Sequence, residues 1–452
     1  MNKLLSALFL WFGAACFAQT SPSVEFSSVP GWGKSSLLQG RVHHVTTGDH
    51  AIAVYIFAEE AGGWWNKPYT ASPVTPIQPD SAFSTQIVIG GVDEYATKII
   101  AFLIPLSYSP PLLSGDEIPG ELFTFPYVVQ CRPHGERIVS WSGLEWTVKK
   151  SVGSSPLPIG PGPNIFSDRD TMVWVDEQQR LHLRVAKTGT MWHCTELICN
   201  SSLGYARYNF DVGSRVDLLD PNVIAGIFTW DDCSPLAQPP NNYFREIDFE
   251  FSRWGSPGND NSQFVIQPYQ VAGNLDRFNM ELTGTGRSLH SFDWNPDSIV
   301  FKSTWGSSSH SWKFMNPAYI PIPGNEQVRI NLHLYNAAPP TDHQPAELIL
   351  NSFMTRIGEG FQPDEQVRIY PNPVIRGCQI EIESGGVEET EIHVVNVQGI
   401  CIRQVFKGKL GRGMNRIEWD GRMDNGNEAQ PGFYLIRIHD GAGTRYFRVI
   451  KI

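Results

Sequence analysis

The sequence predicts an all-β protein built from about three domains. Two observations give the class. Almost no stretch shows helical apolar periodicity, whereas short alternating runs bounded by Gly, Pro, Asn and Asp recur along the whole chain. A third, the length of 452 residues at roughly 150 per domain, gives the number of domains. Composition agrees: 41 Gly and 33 Pro supply turns, and 41% hydrophobic against 18% charged residues excludes coiled coil and wholesale disorder. Lys and Arg number 35 against 46 Asp and Glu, a net charge of −11 that repels phosphate backbones and anionic lipid, so no nucleic-acid partner is expected. The 14 Trp suit sheet cores and, where exposed, flat platforms for sugar rings.

In chain order, residues 1–18 read as a signal peptide, with Lys3 as the charged start, an apolar stretch over 4–17, and Cys16 and Ala18 at the −3 and −1 positions of a cut before Gln19. Gly13-Ala14-Ala15-Cys16 offers a poorer alternative as a lipoprotein box, which usually wants Leu first. No later run reaches the roughly 20 apolar residues needed to span a bilayer, so no transmembrane segment is expected in the mature chain. Cleavage leaves Cys131, Cys194, Cys199, Cys233, Cys378 and Cys401, with no C-x-x-C spacing for zinc. The pairs Cys194–Cys199 and Cys378–Cys401 are candidate disulfides in an oxidising compartment, with buried free thiols as the alternative.

Strand-like runs at 51–58, 84–89 and 96–106 predict an accessory β-sandwich over 21–128. Within it Trp64-Trp65 follows Gly62-Gly63; an exposed pair would stack on a glycan, but neighbours on a strand face opposite ways, so one buried and one rim Trp is the plain expectation. His43-His44 fails as a metal pair for the same reason. Residues 132–357 open with a Gly-, Ser- and Pro-rich stretch at 151–162 and are long enough for a large two-sheet sandwich. After linker-like residues 358–365, a short sandwich is expected over 366–452, punctuated by Tyr370-Pro371-Asn372-Pro373.

The most informative run is Glu246-Ile247-Asp248-Phe249-Glu250-Phe251, where acids and apolar residues alternate. Period two puts Glu246, Asp248 and Glu250 on one face, where three like charges repel. Glycoside hydrolysis with retention explains such a cluster: it needs two carboxyl groups about 5–5.5 Å apart, one nucleophilic and one protonated. Four residues of strand span roughly 13 Å at ~3.3 Å each, and two Glu side chains leaning inward close most of that gap. Asp248 between them adds charge that raises a neighbour's proton affinity and can hydrogen-bond the nucleophile. A calcium site and a merely solvated acidic face remain open on periodicity alone.

Glu246-Ile247-Asp248-Phe249-Glu250 resembles the signature of glycoside hydrolase family 16, the lichenase and laminarinase group. The likeness extends to 292–299, to Gly204-Tyr205 and to 226–230, covering about 145–357. It implies a concanavalin A-like jelly-roll sandwich, with Glu246 as nucleophile, Asp248 as assisting acid and Glu250 as general acid and base. Glu196, Phe244, Trp254, Gln267 and Tyr269 fall where side chains line the cleft, each with packing as the plainer alternative. Two departures stand out: Asn331-Leu332-His333 where the family often carries Asn-Leu-Trp beneath the sugar, and Phe244 where lichenases usually place Trp. No cofactor is required by this chemistry. Family members often hold a structural calcium on the convex side, but nothing here identifies its ligands, and no metal site is assigned. Phosphate-loop and Gly-x-Ser-x-Gly motifs are absent, and the His residues show no helical metal spacing.

The terminal runs at 367–373, 432–438 and 447–452 resemble the immunoglobulin-like type A C-terminal sorting domain of the type IX secretion system, with a simple stabilising immunoglobulin-like module as the alternative. That resemblance implies transit through the periplasm and outer membrane, with the secretion machinery as partner and a secreted or cell-surface destination. The sequence thus suggests an exported, endo-acting, retaining β-glucanase-like hydrolase with a polysaccharide substrate. A carbohydrate-binding protein that has lost catalysis and a transglycosylase are the alternatives on the same fold.

Overall fold

A computed structural model of the chain describes residues 22–153, 156–233, 243–284, 286–356, 367–371, 374–386, 389–396, 401–430, 432–441 and 443–451. The export signal expected at 1–18 and the linker expected at 358–365 lie outside the described residues. All described regular structure is strand or short 3-10 turn, and the chain is all-β. It divides into two compact units, residues 1–130 and 131–452.

The first unit packs a three-stranded sheet on a five-stranded one. Its central strands, His50–Ala58 and Lys98–Pro105, pair along their length and are apolar at nearly every position because both faces are covered. Ile52, Val54 and Ile56 meet Val24, Leu38 and Phe83 on one side, while Ala53, Tyr55 and Phe102 meet Leu113 and Leu122 on the other. Trp64 is buried against Phe57 at 5.4 Å between ring centroids, and Trp65 is half-buried on the opposite layer. The two indoles therefore form packing, not an exposed platform.

The second unit contains two large antiparallel sheets packed face to face in a jelly-roll order. One carries, in spatial order, Leu275–Phe278, Ser262–Ile266, Ile247–Phe251, Val223–Trp230, Gln327–Leu334, Thr195–Cys199, Leu144–Val148 and Ile138–Trp141. Alternation decides what each strand contributes. Ile247, Phe249 and Phe251 point into the core, with Phe249 ringed by Phe210, Phe264, Phe292 and Phe301 at centroid distances of 6.2, 5.4, 5.7 and 5.5 Å. These tilted and edge-on contacts add to burial in fixing the strand, so its other face is presented from a rigid support. A short Ig-like sandwich follows, of three and four strands around Trp419, Ile436 and Ile438. Tyr434 closes its corner by donating from Oη to the Gln430 carbonyl at 2.8 Å.

The cysteines depart from expectation. The disulfide joins Cys131 to Cys233, 102 residues apart. Cys194 and Cys199 are free and buried, and Cys378 and Cys401 are free. Cys199 ends the Thr195–Cys199 strand that Cys194 precedes. Five residues of extended chain hold them roughly 16 Å apart, far beyond the about 4.4–6.8 Å that a disulfide allows between Cα atoms. Cys378 and Cys401 begin strands of different sheets. Burial pushes the Cys194 and Cys378 thiols up to about 12, which keeps them protonated and inert. Cys131→Ser is expected to lower stability by about 2–4 kcal/mol through the long loop it opens. The check is a Tm drop that wild type reproduces in reductant; equal Tm values would mean the bond contributes nothing.

Candidate active site

The acid face is built by strand register. Glu250 lies opposite Gly226 on one side and Gln263 on the other, and Asp248 opposite Phe228 and Val265. One row therefore runs across the sheet as Glu196, Asn331, Gly226, Glu250, Gln263 and Arg277. Gly226 is required in that row, since a Cβ there would sit 2.7 Å from Asn331 Oδ1, which instead accepts from the Gly226 N–H at 3.0 Å.

Glu246 stands just before the Ile247–Phe251 strand, after a turn in which Phe244 and Arg245 both adopt left-handed φ of 54°. Non-glycine residues reach that region at a cost, so the turn must be held by its partners. Thr229 Oγ1 donates to the Arg245 carbonyl at 2.6 Å and accepts from the Ile247 N–H at 3.1 Å. Arg245 pairs with buried Asp231 at 2.5 Å and donates from Nε to the Ile322 carbonyl at 2.6 Å. The Asp231 N–H donates in turn to the Phe244 carbonyl at 2.7 Å. Phe244 stacks on Trp230 at 4.4 Å and 9°.

Three carboxyls on one face, Asp248 buried and Glu246 and Glu250 half-buried, resist losing their protons. Burial raises Glu246, to about 8, and the charge of Glu250 adds to it, while a hydrogen bond from Asp248 and the charge of Arg329 pull the other way. Asp248 is raised well above the usual carboxylate range by burial first, then by Glu246 and Glu250. A hydrogen bond joins these two acids, which therefore hold their protons as a coupled pair. Glu250 is raised by burial, against a hydrogen bond from Gln263 and the charge of Arg277. All three carboxyls are held above the usual carboxylate range, so the face keeps protons that separate carboxylates would release, and the protons belong to the coupled cluster.

Folded-state values above the unfolded ones mean that the native chain binds protons which the unfolded chain has released above about pH 4. This face therefore costs stability increasingly as pH rises from about 4 through the raised values. Glu246→Gln is expected to raise Tm, more at pH 8 than at pH 5, with no gain at pH 4. A Tm below wild type at pH 8 would mean that the carboxylate is net stabilising.

Of the residues expected beside the acids, Gln267 donates from Nε2 to Asp248 Oδ2 at 3.1 Å and accepts the Tyr269 N–H at 3.0 Å. Tyr269 is exposed, and Phe244 and Trp254 are half-buried. Glu196 is different, and its expected place on the cleft surface needs correction. It is fully buried, with its carboxylate engaged by Arg329 Nη1 at 3.2 Å, Asn331 Nδ2 at 3.3 Å and Lys149 Nζ at 3.5 Å. Residues 156–167 pack on this end of the face: Lys149 Nζ donates to the Gly160 carbonyl at 2.6 Å and lies over the Phe166 ring, while Asn164 Nδ2 donates to the Leu334 carbonyl at 2.8 Å. His333 is buried in the same zone, its pKa pushed down to about 3 by burial and by Lys149. Its neutral ring gives Nδ1–H to Asn331 Oδ1 at 3.1 Å, the tautomer following from that oxygen being an acceptor. Sequence reading gave no role to Gln263, Arg277, Trp230, Arg329 or Thr229; the alternation of Ser262–Ile266, with Phe264 and Ile266 in the core, is the signal that would have found Gln263.

Among solved structures the chain is similar to a glycosyl hydrolase family 16 protein from Mycobacterium smegmatis, at 14% identity over 50% of this chain and 95% of that one, with a TM-score of 0.36. It is similar also to a β-1,3-glucanase from Mycobacterium marinum, at 16% identity over 50% and 94% with a TM-score of 0.36. A third is a Mycobacterium tuberculosis protein described as an immunostimulatory antigen and pseudo β-1,3-glucanase, at 15% identity over 46% and 90%, also at 0.36. No curated protein matches the chain in sequence. Residues 377–443 match the FlgD Ig-like domain model, in keeping with the short terminal sandwich.

Proposed function

We infer that this chain is a secreted or cell-surface glycoside hydrolase that cleaves a β-linked, β-glucan-like polysaccharide internally and with retention of configuration. The observation that carries this reading is the set of three carboxyls on one strand face, Glu246, Asp248 and Glu250, all held above the usual carboxylate range, with Gln263 and Arg277 lined up behind Glu250. In the first step the Glu246 carboxylate attacks the anomeric carbon as the glycosidic C–O bond breaks, and Glu250 gives its proton to the departing oxygen. Asp248 holds the attacking carboxylate by its hydrogen bond. In the second step Glu250, now a base, takes a proton from water as the water displaces Glu246. Nucleophile, acid and base are all side chains, so the reaction calls for no cofactor. The stacked Trp230 and Phe244, with Trp254 and exposed Tyr269, offer apolar faces for sugar rings.

Export rests on the apolar N-terminus and on the likeness of the last domain to a type IX sorting domain, which makes that secretion machinery the partner. Mass spectrometry of secreted material is expected to find an N-terminus at Gln19 and loss of sequence after about 366; intact cytoplasmic chain beginning at Met1 would remove this part of the reading.

Activity is tested on barley mixed-linkage glucan, laminarin, agarose, carrageenan and xyloglucan. At least one polymer is expected to lose viscosity ahead of reducing-end release, the mark of internal cleavage. Binding without turnover across the panel would establish a carbohydrate-binding protein instead.

A further inference from the structure

We propose that Gln263, locked by Arg277, is a positioning residue that confines the acidic proton of Glu250 to one of its two oxygens. This rests on Glu250 being the acid and base of the proposed reaction. Gln263 is the cross-strand partner of Glu250, and Arg277 that of Gln263, so the three side chains form a line through strand register. Gln263 Nε2 donates to Glu250 Oε2 in a short hydrogen bond, and its Oε1 accepts from Arg277 Nε at 2.9 Å.

An amide alone can flip; this one is fixed from behind. Turning it over would set Gln263 Oε1 against a carboxylate oxygen and its N–H bonds against the Arg277 N–H, replacing two attractions by two repulsions. Arg277 is itself held, its guanidinium lying 4.9 Å over the Trp254 ring. Glu250 Oε2 therefore faces a permanent donor and only accepts. The proton that Glu250 keeps must sit on Oε1, the oxygen left for the departing glycosidic oxygen. As that proton leaves, negative charge grows on a carboxylate already bonded to the amide, with the guanidinium behind it, so the conjugate base is stabilised as it forms. The other groups around Glu250 cannot do this. Gly226 opposite has no side chain, and Asp248 and Glu246 on its own face are carboxyls that offer no positive charge.

The test has two readouts. In full-length protein carrying ¹³C-carboxyl glutamate, NMR titration of Glu250 is expected to show its apparent pKa rising in both Gln263→Leu and Arg277→Gln. On aryl β-laminaribiosides, Gln263→Leu is expected to lose roughly 10–100-fold in kcat/KM with a phenol leaving group but only about two- to threefold with 2,4-dinitrophenol, which hardly needs protonation. Exposed Arg277→Gln serves where Gln263→Leu folds poorly. Unshifted titration, or equal loss on both substrates, overturns the proposal by leaving Gln263 a merely structural residue. A shifted titration in a chain that turns over no glycoside keeps the relay and removes the hydrolase reading.

Discussion

Glu246→Ala is expected to lose about 10⁴-fold or more of the hydrolytic rate while remaining folded, the usual scale for deleting a covalent nucleophile. Added azide should restore part of that rate, because a small anion can enter the space the side chain leaves and attack the same carbon. Glu250→Ala is expected to suffer less on substrates with good leaving groups, for which protonation of the departing oxygen matters little. The wild-type pH–rate profile should be bell-shaped, with limbs that belong to the coupled cluster and not to one residue. Proton NMR of the first-formed product decides between mechanisms: retention fits attack by Glu246, whereas an initially inverted anomer would overturn that assignment.

The largest structural effect is expected at Arg329. Its guanidinium is buried and bridges Glu196 at 3.2 Å and Asp232 in a short contact, and its charge, after the hydrogen bond from Asp248, opposes the upward shift of Glu246. Arg329→Met fills much of the space but leaves Glu196 in the interior with Lys149 at 3.5 Å as its cationic contact. Breaking a buried pair in this way costs about 3–5 kcal/mol, read as a lower denaturant midpoint with an unchanged slope. Arg329→Lys should recover only part of the loss, since one ammonium cannot present a fork to both carboxylates. The Met variant should also raise the acidic limb of any pH–rate profile, because Glu246 loses the positive charge that opposes its upward shift. A wild-type midpoint would mean that the bridge is energetically idle.

Much of this was legible in the sequence because a strand writes its two faces in alternate letters. Glu246, Asp248 and Glu250 could be placed on one face, and Phe249 on the other, without any structure. What period two does not carry is register. Gln263, Arg277 and Arg329 act on the acids only because particular strands lie side by side, and nothing local in their sequence says which neighbour each will have. The misplacement of Glu196 has a similar origin. Its strand sits in the right sheet and its side chain on the right face, but residues 156–167, which overlap the Gly-, Ser- and Pro-rich stretch read at 151–162, bury Ile159, Asn164 and Phe166 there. The cysteines failed on geometry: closeness along an extended strand is distance in space, and the partner of Cys131 lay 102 residues away.

The cost of ionising the acid row also gives the protein a direction in which to drift. Any change that turns Glu246, Asp248 or Glu250 into its amide removes an ionisation that the fold resists, so the same step that would end the proposed catalysis is expected to make a sturdier molecule. Descendants of such a chain would slide easily into sugar-binding proteins with silent sites, keeping the aromatic faces and shedding only the chemistry. A lineage that retains all three acids does so against that gradient, which purifying selection on turnover can maintain and selection on binding alone would not.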